Sequence, residues 1–289
     1  MSDTTDARAA RDPDDPAQIA GYLDRIGYRD SPSELRPTGE LLSALHLSHL
    51  YAVPFENLDI PLGRRIELDL AELYGKIVTR RRGGFCYELN GLFAWLLESL
   101  GFKLRRLSAR VFGDDGPGPD FDHMLLLVEL DEPRIADVGF GDSFLEPLPL
   151  HTAPVQQGGC DYRLREEGDT WTLDQRQRGR DWAPQYVFTL DNHALSDFSP
   201  MCEFQQTSPS SPFTRKSVCS RATPEGRITL ANGRLIVTSD GRREERDVRD
   251  LGDYRALLWA HFGFNPGDSR HGDRLLRKHA DWARPAGER

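Results

Sequence analysis

The chain has 289 residues, 38% hydrophobic and 29% charged, a globular composition with length enough for a sizeable core. Its 37 basic and 46 acidic residues give a net charge of −9, which argues against nucleic acid or an anionic membrane as the bulk partner. Four cysteines, Cys86, Cys160, Cys202 and Cys219, are too few for a disulfide scaffold and form no CxxC pair for a zinc ribbon.

The chain opens on MSDTTDARAARDPDDPAQ, which is acidic and lacks the apolar stretch of a secretory signal; the residues before Pro16 are expected to fray. No run of eighteen apolar residues follows, so no membrane span is expected, and the protein is placed in the cytoplasm with its thiols reduced. From Pro16 to about residue 100 the pattern is helical. Ile19, Tyr22 and Ile26 share a helix face, with Pro16 suited to the first turn. Leu42, Leu45, His49 and Ala52 mark a second helix, and Asp69 caps a third over DLAELYGKIVTR. FCYELNGLFAWLLESL is a fourth, with one apolar face and Gly101 as its terminating glycine.

From about residue 102 the period shortens. KLRRLSARVFG, HMLLLVEL and PRIADVGFG read as strands, with GDDGPGPD (113–120) as a loop. DYRLREEGDTWTLDQ reads as a hairpin closed around Gly168 and Asp169, and QYVFTL as a further strand. Beyond residue 200, SPSSP (208–212) is a loop, Asn232-Gly233 closes a hairpin between β-branched runs, and YRALLWAHFGF is a last helix. Helices, then an antiparallel sheet or barrel, then a small mixed unit make an α+β arrangement.

The chemistry concentrates in Arg82-Gly83-Gly84-Phe85-Cys86-Tyr87-Glu88-Leu89-Asn90-Gly91. The glycines permit a sharp turn, and Cys86 then lies in the first turn of an apolar helix, whose free N–H groups and dipole favour a thiolate. His123 opens one apolar run, and Asp137 ends the next. If those strands form a hairpin around residues 131–133, the two residues come close, within the slack of a bulge or one-residue slip. An Asp that orients a His that deprotonates a Cys is the logic of a triad.

RGGFCYELNGLF, HMLLLV and ADVGFG together resemble the arylamine N-acetyltransferase family, as do VPFENLD (53–59), YLDRIGY and TSPSSPF (207–213). The resemblance runs from about residue 18 to about 265. It implies an N-terminal helical bundle, an antiparallel β-barrel and a C-terminal α/β lid, on a core related to papain-like and transglutaminase-like thiol enzymes. The corresponding boundaries are a flexible 1–15, a bundle 16–101 with the cysteine, a barrel 102–200 with the histidine and aspartate, and a lid 201–289. It also implies ping-pong transfer: Cys86 takes acetyl from acetyl-CoA and passes it to an arylamine, arylhydrazine or arylhydroxylamine, with His123 as base and Asp137 as orienter and with no metal. The family often has Thr before the triad histidine; here it is Asp122, a carboxylate that would repel the donor's phosphates.

An apolar pocket should hold the aromatic ring, and Phe112, Phe121, Phe140 and Phe204 are candidates to line it. Arg82 and Glu56 are candidates for a charged pair that supports the cysteine loop. Cys160, Cys202 and Cys219 read as structural, and His46 and His49 as satisfied helix histidines, because no third metal ligand accompanies them. A thiol hydrolase, a macrolactam-forming amide synthase and a non-enzymatic relative are the rival functions. The first two would use the same triad.

Overall fold

A computed structural model describes residues 15–264 of the chain. The expected fraying of residues 1–14 and the expected lid residues 265–289 lie outside the described part. The helical portion comprises α1 (Pro16–Ile26), α2 (Gly39–Ala52), the short strand β1 (Phe55–Glu56), α3 (Asp59–Leu62), α4 (Leu70–Tyr74) and α5 (Cys86–Ser99). The anticipated punctuation is present. Pro16 opens α1 behind Asp15, whose side chain accepts from the Ala17 N–H, and Asp69 accepts from the Ala71 and Glu72 N–H groups at the start of α4. Helix α4 continues into a π turn, Gly75–Thr79, which carries Lys76 into the interior.

Helix α5 is more central than its sequence suggests. One apolar face was expected, yet every residue from Cys86 to Leu97 is buried, Glu88 and Asn90 included. The helix packs on α1 and α4 on one side and on barrel strands on the other, so no face is left for water.

The second portion supplies β2 (Lys103–Gly113), β3 (Gly116–Pro117), β4 (His123–Glu129), β5 (Arg134–Ala136), β6 (Leu148–Pro149), β7 (Val155–Gln157), β8 (Cys160–Glu167), β9 (Thr170–Gln177) and β10 (Ala183–Phe188). They pair antiparallel in the order β6-β5-β4-β2-β10-β9-β8-β7 and curl into a nearly closed barrel, with β3 folded back on β2. The stretch 113–120, expected to be loop throughout, thus contains a short hairpin, Phe112 and Gly113 against Pro117 and Gly116. Leu107, Leu125, Leu127, Ile135, Leu164, Leu173, Tyr186 and Phe188 fill the barrel interior. Residues of opposite parity on β4 and β5, namely Leu126, Val128 and Ala136, face the helical core instead. This two-sided burial explains why HMLLLV is apolar without alternation.

The remaining elements are α6 (Ser199–Thr207), α7 (Pro212–Arg215), β11 (Val218–Thr223), β12 (Gly226–Ala231), β13 (Arg234–Ser239), β14 (Arg242–Asp247) and α8 (Leu251–Phe262). Asn232 and Gly233, both at positive φ, make the tight turn between β12 and β13. The second sheet runs β1-β11-β12-β13-β14, so Phe55 and Glu56, from the helical portion, form its edge. Asn57 fastens that edge: its side chain donates to the Phe213 and Lys216 carbonyls and accepts the Val218 N–H. Among the described residues no helix is long and apolar enough to cross a membrane.

Candidate active site

Cys86 is the first residue of α5, and the chain before it is packed too tightly for side chains. A Cβ on Gly83 would stand 1.9 Å from the Pro54 carbonyl oxygen, and one on Gly84 would stand 2.7 Å from the Glu88 side chain. Neither glycine has positive φ, so close approach rather than an unusual turn requires them. The Phe85 N–H at the helix start donates to Glu88 Oε2 at 3.1 Å.

Glu88 belongs to a buried ionic group. Lys76 Nζ lies 2.7 Å from Glu88 Oε1 and 2.8 Å from Asp59 Oδ2. Arg82 Nη2 lies 2.7 Å from Glu56 Oε1, and Nη1 lies 3.1 Å from Asp59 Oδ1. The expected Arg82–Glu56 contact is therefore present within a larger set of three carboxylates and two cations. Burial raises Glu88 to about 7, against the pull of Lys76. Asp59 is held at about 2, because Lys76 and Arg82 together outweigh its burial.

His123 and Asp137 meet by register. Leu126 pairs with Ala136 and Leu127 with Ile135, which sets Asp137 beside Leu125, with His123 its diagonal neighbour on the same face. No slip or bulge is needed: the two-residue offset keeps both side chains on the barrel-interior side. His123 Nε2 lies 2.8 Å from Asp137 Oδ2. A carboxylate only accepts, so Nε2 carries a proton, and in the neutral ring Nδ1 is the nitrogen with the lone pair.

Asp137 is fully enclosed and collects three more donors. Tyr186 OH donates to Oδ2 at 3.1 Å, and Asn90 Nδ2 and the Gly139 N–H each donate to Oδ1 at 2.9 Å. Burial pushes this carboxyl up, but His123 and the other donors outweigh it and hold it below the ordinary range. Asn90 also accepts the Val138 N–H and donates to the Met124 carbonyl, tying α5 to both strands. A Cβ on Gly139 would lie 2.7 Å from Cys86 Cα, so the loop after Asp137 rests on the cysteine backbone.

The sulfur departs from expectation. Burial pushes the Cys86 thiol well up; a hydrogen bond from the Met124 backbone opposes this, while the Asp137 and Asp122 carboxylates act with burial. The anticipated gain from the helix N-terminus is outweighed, because the sulfur sits among Ile66, Phe85, Tyr87, Met124, Phe198 and Cys202.

Of the four candidate phenylalanines the structure brings two to this place. The Phe140 ring lies 5.2 Å from His123, and Phe121 packs on the apolar group round Cys86, 5.1 Å from Phe198. Phe204 is 41% exposed: α6 turns Cys202 and Gln205 inward, which leaves Phe204 outside. Phe112 follows Val111, which packs on the barrel interior, so it occupies the opposite face of β2 and stands outside the group round Cys86. Phe198 and Phe213, not anticipated, take their place.

Asp122 does not stand free. Gln205 Nε2 donates to its Oδ1 at 2.6 Å, and Ser211 Oγ donates to Gln205 Oε1 at 2.6 Å, a chain linking β4 to the SPSSP segment. Phe121, beside it, has φ 62, held by Tyr87 OH donating to the Phe121 and Asp122 carbonyls and by its own N–H donating to Ser108 Oγ. All four cysteines are free thiols. Asn90 was open to detection, since it lies one helical turn from Cys86; Tyr186 carries no local signal and arrives only through strand pairing.

The model of a family described as N-acetyltransferase matches residues 39–268. An arylamine N-acetyltransferase from Escherichia coli is 38% identical over 239 residues, covering 81% of this chain and 85% of its own length. A Salmonella typhimurium protein named arylamine N-acetyltransferase / N-hydroxyarylamine O-acetyltransferase is 40% identical over 82% of this chain and 86% of its own. The solved structure of the Salmonella typhimurium arylamine N-acetyltransferase superposes with a TM-score of 0.85 at 35% identity, over 92% of this chain and 98% of its own. That of the Mycobacterium marinum arylamine N-acetyltransferase in complex with CoA does so with a TM-score of 0.82 at 33% identity, over 91% and 98%.

Proposed function

The chain belongs to the arylamine N-acetyltransferase family, and on that premise we propose that it transfers acetyl from acetyl-CoA to arylamines, arylhydrazines or arylhydroxylamines through a thioester on Cys86, in the cytoplasm. The observation that carries the reading is the 2.8 Å contact of His123 with a four-fold hydrogen-bonded Asp137, on a loop that rests against Cys86.

In the first half-reaction His123 Nδ1 takes the Cys86 proton as the sulfur attacks the thioester carbonyl. The proton then passes to the departing CoA sulfur. Asp137 keeps Nε2 protonated and stabilises the imidazolium formed. The backbone N–H of Cys86, at the helix start, is a donor for the oxyanion. In the second half-reaction the neutral amine attacks the acetyl-cysteine, His123 accepts its proton, and the carbon–sulfur bond breaks as that proton returns to the departing Cys86 sulfur, releasing the amide. Phe121, Phe140, Phe198 and Phe213 offer the ring an apolar site. No step requires a metal. Arg82 and Glu56, with Lys76, Asp59 and Glu88, support the loop that presents Cys86.

The test is release of CoA from acetyl-CoA with and without an arylamine panel, for the wild type and Cys86→Ala. Amine-stimulated release that disappears in a folded Cys86→Ala supports the reading. Release indifferent to amine would mark a hydrolase, no release at all an amide synthase, and turnover by Cys86→Ala would remove the nucleophile.

A further inference from the structure

Helix α2 lies against the loop that follows Asp137, and its His46 is fully buried. Both ring nitrogens are engaged. Nδ1 is 2.8 Å from the Leu145 carbonyl oxygen, and Nε2 is 3.1 Å from the backbone nitrogen of Asp137. A carbonyl only accepts and a backbone amide only donates, so the partners fix the tautomer. Nδ1–H donates to Leu145, and the Nε2 lone pair accepts the Asp137 N–H. The ring is held flat against Phe144, with centroids 5.7 Å apart and planes 11° apart, and edge-on to Phe93.

The segment between those two bonds, residues 138–144, contains no helix or strand. It nevertheless carries Gly139 against the Cys86 backbone and Phe140 against the His123 ring. One neutral imidazole therefore closes both ends of an irregular loop, and one of those ends is the main chain of the carboxylate facing His123.

From this geometry we infer that His46 is a positioning residue: it fixes the main chain of Asp137, and through it the carboxylate that orients His123. The inference rests on the reading of Cys86, His123 and Asp137 given above. An apolar side chain would fill the space and leave the Asp137 N–H and Leu145 carbonyl unpaired inside the protein. An imidazolium would set a donor against a donor at Nε2. Burial prevents this by lowering His46 to about 4, against the opposing pull of Leu145 and Asp137. His49, the other titratable group beside it on α2, is also lowered by burial, with the Arg25 charge acting in the same sense.

Two variants separate positioning from filling. His46→Gln retains one acceptor and one donor; His46→Met has similar bulk and neither. The readouts are kcat and KM for acetyl transfer to an arylamine, and the pH profile of Cys86 alkylation by iodoacetamide, with far-UV circular dichroism as the check on folding. His46→Met is expected to lose about tenfold or more in kcat with amine KM within about threefold, and to move the alkylation midpoint by about half a pH unit or more. His46→Gln is expected to recover at least about a third of the wild-type kcat. A folded His46→Met with wild-type kcat and profile overturns the inference, as does a His46→Gln no better than His46→Met. Should His46→Met not fold, His46→Asn replaces it: its shorter amide reaches one partner but not both, so wild-type behaviour there also overturns the inference. Asp137→Asn serves as the control. If it too has wild-type kcat and profile, the triad reading has failed; if it is impaired while the His46 variants are not, only this inference has.

Discussion

Replacing Arg82 by methionine removes the guanidinium that bridges Glu56 and Asp59, and the buried ionic group then sets three carboxylates against Lys76 alone. Arg64 touches Asp59 from the surface at 3.6 Å and is too exposed to compensate. Removing one partner of a buried pair costs about 3–5 kcal/mol, because the remaining charge stays out of water without its counter-ion. In a fold of this size 1 kcal/mol corresponds to about 2–4 °C, so Tm should fall by roughly 6–20 °C. The loss should also depend on pH. With one cation gone, a carboxyl in the group must hold a proton, and Glu88 is the leading candidate, since burial already raises it from 4.5 to about 7. An acid whose folded pKa is raised keeps its proton in the folded state after the unfolded chain has released it. Stability is then retained below the unfolded value and lost as pH rises through the folded one. The gap between variant and wild type should therefore be wider at pH 8 than at pH 6. Urea unfolding followed by circular dichroism at both pH values measures it. A loss below about 1 kcal/mol at pH 8, or an equal loss at both, would refute the argument that this group is tightly balanced.

Three further outcomes are expected. Asp137→Asn should lower kcat by about 100-fold or more, because an amide opposes one of the four donors now meeting the carboxylate and no longer stabilises the imidazolium; kcat within tenfold of wild type would end the orienter assignment. Gly139→Ala should cost about 1–3 kcal/mol and slow transfer, since its Cβ would meet Asn90 Nδ2 at 2.6 Å and Cys86 Cα at 2.7 Å; unchanged unfolding and turnover would show that the loop yields freely. Between pH 6.5 and 4.5 stability should fall with acid. The unfolded chain protonates His46 and His49 there while the folded chain does not, and raised Glu88 cancels about one of those two protons. The slope should be on the order of 1.4 kcal/mol per pH unit for the one proton remaining, and a flat profile from urea titrations would contradict the buried neutral histidines.

What the sequence disclosed follows how local each signal is. The starts of α1 and α4 were readable because Pro16 and Asp69 act within one turn of their own position, whereas the Asp15 cap fell in the stretch expected to be flexible. The His123–Asp137 meeting was readable because a short hairpin turns sequence separation into register, although the diagonal offset could be mistaken for a slip. Tyr186 reaches Asp137 through pairing of β10 with β2, and β2 with β4, a relation no short window contains. His46 was visible as a helix histidine, but its partners lie 91 and 99 residues away. Phe204 shows the opposite failure: an aromatic near the right segment says nothing about which side of a short helix faces inward. Lys76 and Glu88 carry no local sign of burial, because it depends on a π turn and on a helix enclosed on every side.

Burial gives Cys86 and Asp137 opposite fates although both are closed off from water. Asp137 meets four donors and stays ionised, whereas the sulfur has an apolar wall that favours the thiol, opposed by the Met124 backbone hydrogen bond alone. On the proposed roles, the imidazolium formed when His123 takes the Cys86 proton is stabilised by Asp137 at 2.8 Å. The same dry wall favours one class of acceptor. An aliphatic amine, with a pKa near that of lysine at about 10.4, arrives as an ammonium ion and would have to shed a proton and its hydration to enter. An arylamine is already neutral at about pH 7 and brings a ring that the surrounding phenylalanines can cover. The burial that pushes the Cys86 thiol up thus also selects for the weakly basic aromatic amine.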